Sequence, residues 1–245
     1  MTECFWTPRR RPEAVLRAVC FPHAGGDAPS YEALARALPD HVEVLAVRMP
    51  RPGDGVEVSD LAGLVGRIVA AGVRVRRPYM MVGQSLGGLI AFETARAMSG
   101  SPPVACLIVS SAPPRLWAER FGDHTPDDHR VLARMWRGDE RMREALNDPV
   151  VHRLILRDLW ADLRLLRGYA ASAGPLPAVP VRVLVGADDP GLTAGEAAGW
   201  ARCTSGGCSV RSVPSGHFVV QDAEAFVVEE ITRVAARISA EAEGE

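Results

Sequence analysis

"YMMVGQSLGGLIAFETARAM" (residues 79–98) joins two unlike halves at one serine. Residues 79–83 form an apolar run of the kind that fills a strand buried on both faces, and the stretch from residue 86 reads as a helix. Glycine weakens both kinds of element, yet Gly83, Gly87 and Gly88 crowd the junction. Gly83-Gln84-Ser85-Leu86-Gly87 matches the Gly-x-Ser-x-Gly elbow, in which a serine takes a strained backbone conformation between strand and helix. Side chains at the two flanking glycines would collide in so tight a corner. Gly88 extends the small surface and lets the new helix lie close to the strand. Five residues alone specify little; the strand before them and the helix after them supply the context the pattern requires.

Outward from this corner, short apolar and β-branched runs recur at 17–21, 42–47, 104–110, 181–186 and 209–213. Helical patterns lie between most of them, at about 30–38, 59–72, 86–98, 194–203 and 222–240. Such alternation implies an α/β fold, with a mostly parallel central sheet and helices on both faces. Near-continuous hydrophobicity at 79–83 and 104–110 places those two strands centrally. A chain of 245 residues, 47% of them hydrophobic, fits a single α/β domain.

One interval breaks the rhythm. About seventy residues separate the strand at 104–110 from the strand at 181–186, where a crossover needs only a dozen or more. An insertion at about 115–175 accounts for them. Within it, "DHRVLARMWRGDERMREAL" places Val131, Leu132, Met135 and Trp136 on one helical face, and "VHRLILRDLWADLRLLRGY" does the same with Leu154, Ile155, Leu159, Leu163 and Leu166. The insertion follows a strand that ends on the same edge as Ser85, where open α/β sheets bind ligands, so it reads as a helical lid.

Twenty-eight basic residues against 30 acidic ones leave a net charge of −2, which gives no overall electrostatic case for a nucleic acid or an acidic membrane surface. The N-terminus is charged where a signal peptide needs an apolar core, and no uncharged apolar run reaches the ~18 residues of a membrane helix. A soluble cytoplasmic protein is expected. Cys4, Cys20, Cys106, Cys203 and Cys208 are odd in number and scattered, so disulfides are not expected. Cys203 and Cys208 lack companions for a four-ligand set, and no metal site is expected. Two basic clusters stand out: Arg130, Arg134, Arg137, Arg141 and Arg143 in the first insertion helix, and Arg74, Arg76 and Arg77 ahead of a strand. Both fit solvated faces; the first is also a candidate docking face for an acidic partner.

A serine hydroxyl is nearly inert at neutral pH, so it needs a base, and the base needs a group that fixes its tautomer. In elbow enzymes the order along the chain is serine, acid, histidine. His217 in "VPSGHFVV" follows the last strand and precedes the final helix, whereas His23 comes before the serine. The acid is expected after the strand at 181–186, where "GADDP" supplies Asp188 and Asp189. Asp189 is the choice, because a tight turn from Gly186 aims the second carboxylate at the histidine loop; Asp188 is the alternative. Charge developing on the attacked carbonyl needs preorganised donors. Leu86 N–H is one by position. Ala24 N–H, beside the glycines of "CFPHAGG", is the candidate for the second; the Gly-x-Gly-x-x-Gly and Gly-Lys-Ser/Thr patterns of phosphate loops are absent.

Taken together, "FPHAGG", the elbow followed by "AFETAR", "SSAPP", "DLWADLRLLRGY", "GADDP" with "GEAAGW", and "SGHF" resemble the type II thioesterases of polyketide and nonribosomal peptide assembly lines, a branch of the α/β-hydrolases. The resemblance covers nearly the whole chain. It implies an α/β-hydrolase fold, a Ser85–Asp189–His217 triad, and a lid over an acyl chamber with Met135, Trp136, Leu159, Trp160 and Phe218 as candidate lining. It also implies acyl thioesters on the phosphopantetheine of acyl or peptidyl carrier protein domains as substrates, with no cofactor. Two positions depart from the family pattern: Gln84 stands where histidine is usual before the nucleophile, and "MPRPGDG" carries Asp54 where the common Pro-Gly-Arg loop has arginine.

Overall fold

The computed structural model of the chain describes residues 4–72, 78–98, 104–121, 147–172, 174–176 and 178–243; of 104–109 and 242–243 only the backbone is described. Among the described residues seven strands form one sheet: β1 (Phe5–Trp6), β2 (Leu16–Phe21), β3 (Val42–Val47), β4 (Tyr79–Gln84), β5 (Val104–Ser110), β6 (Val181–Gly186) and β7 (Cys208–Val213). Their order is β1-β3-β2-β4-β5-β6-β7. All neighbours run parallel except β1, which lies antiparallel on β3 with Phe5 opposite Val47 and Trp6 opposite Ala46.

Six of these strands are the six apolar runs of the sequence. β1 is the addition, too short at two residues to show a period. Every side chain of β4 is buried, as its unbroken hydrophobicity predicts for a central strand. Alternate residues supply two cores. Val19 and Phe21 of β2 and Tyr79 and Met81 of β4 face one layer; Ala18, Cys20, Met80 and Val82 face the other. Helices α1 (Glu32–Ala37), α2 (Leu61–Ala70) and α3 (Leu86–Ala97) divide between them, with α2 and α3 on the first layer and α1 on the second. At the far edge β7 exposes Ser209, Val210 and Ser212, consistent with its broken apolar pattern.

The interval between β5 and β6 holds α4 (Pro114–Phe121) and α5 (Pro149–Arg164). Asp148 caps α5 by accepting the N–H groups of Val150 (2.7 Å) and Val151 (3.1 Å). The apolar stripe expected along α5 is buried only in its second half. Leu159, Leu163 and Leu166 are buried, Ile155 is half-buried, and Leu154 is 47% exposed, contrary to expectation. Burial begins where Leu159 meets the loop after β2; Leu154, more than a turn earlier, lies ahead of that contact. The first expected insertion helix, with Val131, Leu132, Met135, Trp136 and its five arginines, lies outside the described residues, as do Arg74, Arg76 and Arg77.

Past β6, a Thr193–Glu196 capping box starts α6 (Ala194–Ala197), which tightens into a 3-10 turn over Ala198–Arg202. The chain ends with α7 (Val219–Asp222) and α8 (Glu224–Glu243), the latter packed on the second layer through Val227 and Ile231. Among the described residues no helix is long and apolar enough to cross a membrane.

Candidate active site

Ser85 sits between β4 and α3 at φ 53° and ψ −124°, a region that non-glycine residues avoid. Its N–H donates to the Ser110 carbonyl (2.7 Å) and its carbonyl accepts the Gly88 N–H (2.9 Å), so the corner is bonded on both sides. Sterics dictate the glycines. A Cβ on Gly83 would lie 2.4 Å from the Gly87 carbonyl oxygen, one on Gly87 would lie 2.0 Å from that of Phe21, and one on Gly88 would lie 2.4 Å from Ser111 Cβ. Leu86 opens α3, so its N–H has no partner one turn earlier in the helix.

His217 lies in the loop after β7. Its Nδ1 is 3.0 Å from Asp189 Oδ2, with the histidine side chain 14% and the aspartate side chain 3% exposed. The acid is itself held: Asp189 N–H donates to the Gly186 carbonyl (3.1 Å), and Oδ1 accepts the Gly191 N–H (2.7 Å). A Cβ on Gly186 would meet the Gly216 carbonyl at 2.0 Å, so the acid and histidine turns press together there. Asp188 points into solvent, while its N–H donates to Ser215 O (3.1 Å). His217 Nε2 is buried and without a hydrogen-bond partner among the described residues, so its bond to Ser85 is not made in this geometry. Catalytic hydrogen bonds commonly tighten only when substrate is bound.

What ties the serine corner to the histidine loop is Gln84. Its Oε1 accepts the Val220 N–H (2.7 Å), three residues past His217, and its Nε2 donates to Gln221 Oε1 (3.1 Å). Buttressing from the other side, Trp200 Nε1 donates to the Ser111 carbonyl (2.7 Å) and Trp117 Nε1 to Ser111 Oγ (3.0 Å).

The start of the loop after β2 lies against the start of α3, where a Cβ on Gly87 would meet the Phe21 and Pro22 carbonyls, and Ala24 of that loop is buried in the same core as Leu86. Gly26 N–H donates to the His23 carbonyl (2.9 Å), and His23 Nδ1 lies 3.0 Å from the Ala24 carbonyl. Phe218 presents its ring at steep angles to both histidines, with centroids 5.0 Å from His23 and 5.5 Å from His217. Loss of hydration lowers the His23 imidazole to about 4, and the charges of His217 and Arg51 push the same way, so this ring is neutral at neutral pH. Leu159 is buried over Gly25, and Trp160 packs half-buried against the same core; Met135 and Trp136 lie outside the described residues.

Two further residues join the site without having been singled out in the sequence. Asp162 of α5 is buried and accepts the Gly25 N–H (2.7 Å) and Arg51 Nη1 (2.8 Å). Burial pushes its carboxyl up to about 6, against the pull of Arg51 and the Gly25 N–H. Its signal was visible: Asp162 lies on the stripe of Leu159, Leu163 and Leu166, where a charge needs a partner. Among the described residues no group of three or more His, Cys, Asp or Glu side chains could hold a metal ion.

Residues 17–237 match the thioesterase domain family. The chain belongs to that family. Its fold is accordingly the α/β-hydrolase fold, and the family comprises hydrolases of thioester bonds. Among similar proteins, a probable cadicidin biosynthesis thioesterase of Streptomyces griseus is 31% identical over 226 residues, which make up 89% of this chain and 62% of that protein. Thioesterase PikA5 of Streptomyces venezuelae is 31% identical over 223 residues, 86% of this chain and 78% of that one. This thioesterase-family chain thus spans less than two thirds of the first relative and most of the second. The solved structure of the type II thioesterase BorB from the borrelidin biosynthetic cluster superposes with a TM-score of 0.79 at 27% identity, covering 94% of this chain and 97% of that one.

Proposed function

We propose that this chain hydrolyses acyl thioesters presented on the phosphopantetheine arm of acyl or peptidyl carrier protein domains, removing stalled or aberrant acyl groups from a polyketide or nonribosomal peptide assembly line in the cytoplasm. One observation carries the reading: a serine at positive φ on a strand-to-helix corner, bonded through Gln84 to the loop whose histidine is paired with a buried aspartate at 3.0 Å. The names of PikA5 and the cadicidin relative support the substrate class.

His217 Nε2 takes the Ser85 proton as Oγ attacks the acyl carbon, while Asp189 holds the ring's other nitrogen and stabilises the cation. The oxyanion that forms is received by Leu86 and Ala24 N–H. Collapse of the tetrahedral species breaks the C–S bond; the sulfur takes the proton from His217 and leaves as the pantetheine thiol, and an acyl-serine remains. Water, deprotonated by His217, then hydrolyses this ester. A thiol leaving group with a pKa near ~8.5 needs little protonation, so the demand on the site falls on attack and oxyanion stabilisation. Leu159, Trp160 and Phe218 supply apolar surface for the acyl chain.

Ser85→Ala should abolish hydrolysis of propionyl-pantetheine and labelling by a fluorophosphonate while leaving the fold intact by circular dichroism. Near-wild-type turnover by that variant would overturn the reading. Comparison of matched thioesters and oxygen esters tests the bond preference.

A further inference from the structure

The turn that presents Ala24 N–H is pinned peptide by peptide. The His23–Ala24 peptide has its carbonyl end occupied, because that oxygen accepts the Gly26 N–H at 2.9 Å. A peptide's N–H and C=O point in opposite directions, so this bond turns Ala24 N–H away from the turn's interior. The next peptide, Ala24–Gly25, is held at both ends: its carbonyl faces His23 Nδ1 at 3.0 Å and its N–H donates to Asp162 Oδ2 at 2.7 Å. The Gly26–Asp27 peptide is held at its carbonyl by Arg51 Nη2. Two of these restraints come from outside the turn, and they come from one ion pair, since Arg51 Nη1 donates to Asp162 Oδ1 at 2.8 Å.

Asp162 is 2% and Arg51 14% exposed at the side chain, so water does not compete strongly for these bonds. Gly25 has φ +78°, and Leu159 of the same helix sits 3.4 Å from where its Cβ would be, so α5 closes on the turn by packing as well. The end of α5 is anchored in turn to α2, where Leu61 N–H donates to the Leu165 carbonyl at 2.9 Å.

We propose that Asp162, oriented by Arg51, is a positioning residue for the thioester reaction: through the Gly25 N–H it sets the direction of the Ala24 N–H, so that the seating of the insertion helix and the readiness of the oxyanion site are one equilibrium. This rests on the reading of Ala24 N–H as an oxyanion donor. Neither Asp162 nor Arg51 touches the reacting atoms. Their effect belongs to the transition state, where a misdirected donor costs rate and leaves ground-state binding intact.

The test is steady-state kinetics of Asp162→Ala, Asp162→Asn and Arg51→Gln on propionyl-pantetheine, alongside the affinity of a boronic acid that forms a tetrahedral adduct with serine. Deleting a whole oxyanion donor costs ~10²–10³ in kcat, so displacing one in Asp162→Ala should cost about 10-fold or more, with KM within about 2-fold and boronate affinity falling in parallel with kcat. Asp162→Asn keeps an oxygen for the Gly25 N–H and should recover much of the loss; if Asp162→Ala does not fold, Arg51→Gln carries the test, with a kcat loss at nearly unchanged KM expected there too. Wild-type kcat and boronate affinity in folded Asp162→Ala or, where that variant does not fold, in Arg51→Gln would overturn the proposal, as would a loss appearing in KM alone. If Ser85→Ala is inactive while these variants are unimpaired, the clamp fails and the catalytic reading stands; if Ser85→Ala is active, the reading itself fails.

Discussion

Gln84 Oε1 accepts the Val220 N–H at 2.7 Å, joining the residue before the serine to the helix that follows His217. This bond is buried and spans 136 residues of chain. Gln84→Leu keeps the volume, removes the acceptor and leaves a buried N–H unpaired, which should cost about 1–3 kcal/mol in urea denaturation. The kcat for propionyl-pantetheine should fall with KM nearly unchanged, because the two loops lose their shared anchor. An unchanged kcat would show that the histidine loop is held without it.

Asp188 and Asp189 are adjacent, yet one carboxylate is exposed and the other lies against His217 Nδ1. Asp189→Asn should reduce kcat by up to about 10⁴-fold, the loss that an amide at the same position causes in serine proteases. Asp188→Asn should leave kcat within about 2-fold, as substitutions on an exposed carboxylate do. Rates of fluorophosphonate labelling give the same comparison without a substrate.

His23 is neutral in the folded protein and has a depressed pKa, about 4, so the unfolded chain binds the extra proton between about pH 6.5 and 4. Its contribution to stability is therefore complete above that window and is lost as pH falls through it. Asp162 works in the opposite sense: with its carboxyl raised to about 6, protonation favours the fold as pH drops. The difference in urea midpoints between wild type and His23→Phe isolates the histidine. It should shift in favour of the variant from pH 7 to 4.5, and a difference that does not vary with pH would refute the assignment.

Glycines separate into those the fold requires and those it merely tolerates. Gly87→Ala places a methyl 2.0 Å from a backbone carbonyl, so the strand must move and the cost should reach or exceed the ~1–3 kcal/mol typical of overpacking. Gly66, inside α2, has nothing within 4 Å of a Cβ, so Gly66→Ala should stabilise by about 0.5–1 kcal/mol. Thermal denaturation of the two variants reads both signs.

Most strands and helices were legible because each is written in a pattern that burial enforces: near-continuous apolarity in β2 and β4, a three-to-four repeat in α2. The serine and histidine were legible for a different reason, since their chemistry dictates chain order and position at strand ends. Residues whose importance lies in a partner far along the chain could not be read in this way. Arg11 sat in "RRRP" like a solvated basic run, yet its guanidinium donates to the carbonyls of Ala35, Leu38, Pro39 and Val42 at 2.6 to 3.0 Å and closes the end of α1. Arg51 and Asp162 are 111 residues apart, and neither one alone declares the other. Leu154 failed for a local reason: periodicity shows which face of α5 is apolar and says nothing of how far along the helix the neighbouring surface extends.

The order of the sheet also bears on biogenesis. The groups gathered around Ser85 are drawn from the ends of β2, β4, β6 and β7, so the site uses residues from His23 to Gln221. Because His217 follows β7, the last of the described strands in chain order and one edge of the sheet, the acid–histidine pair cannot assemble until that edge strand has been made and has docked on β6.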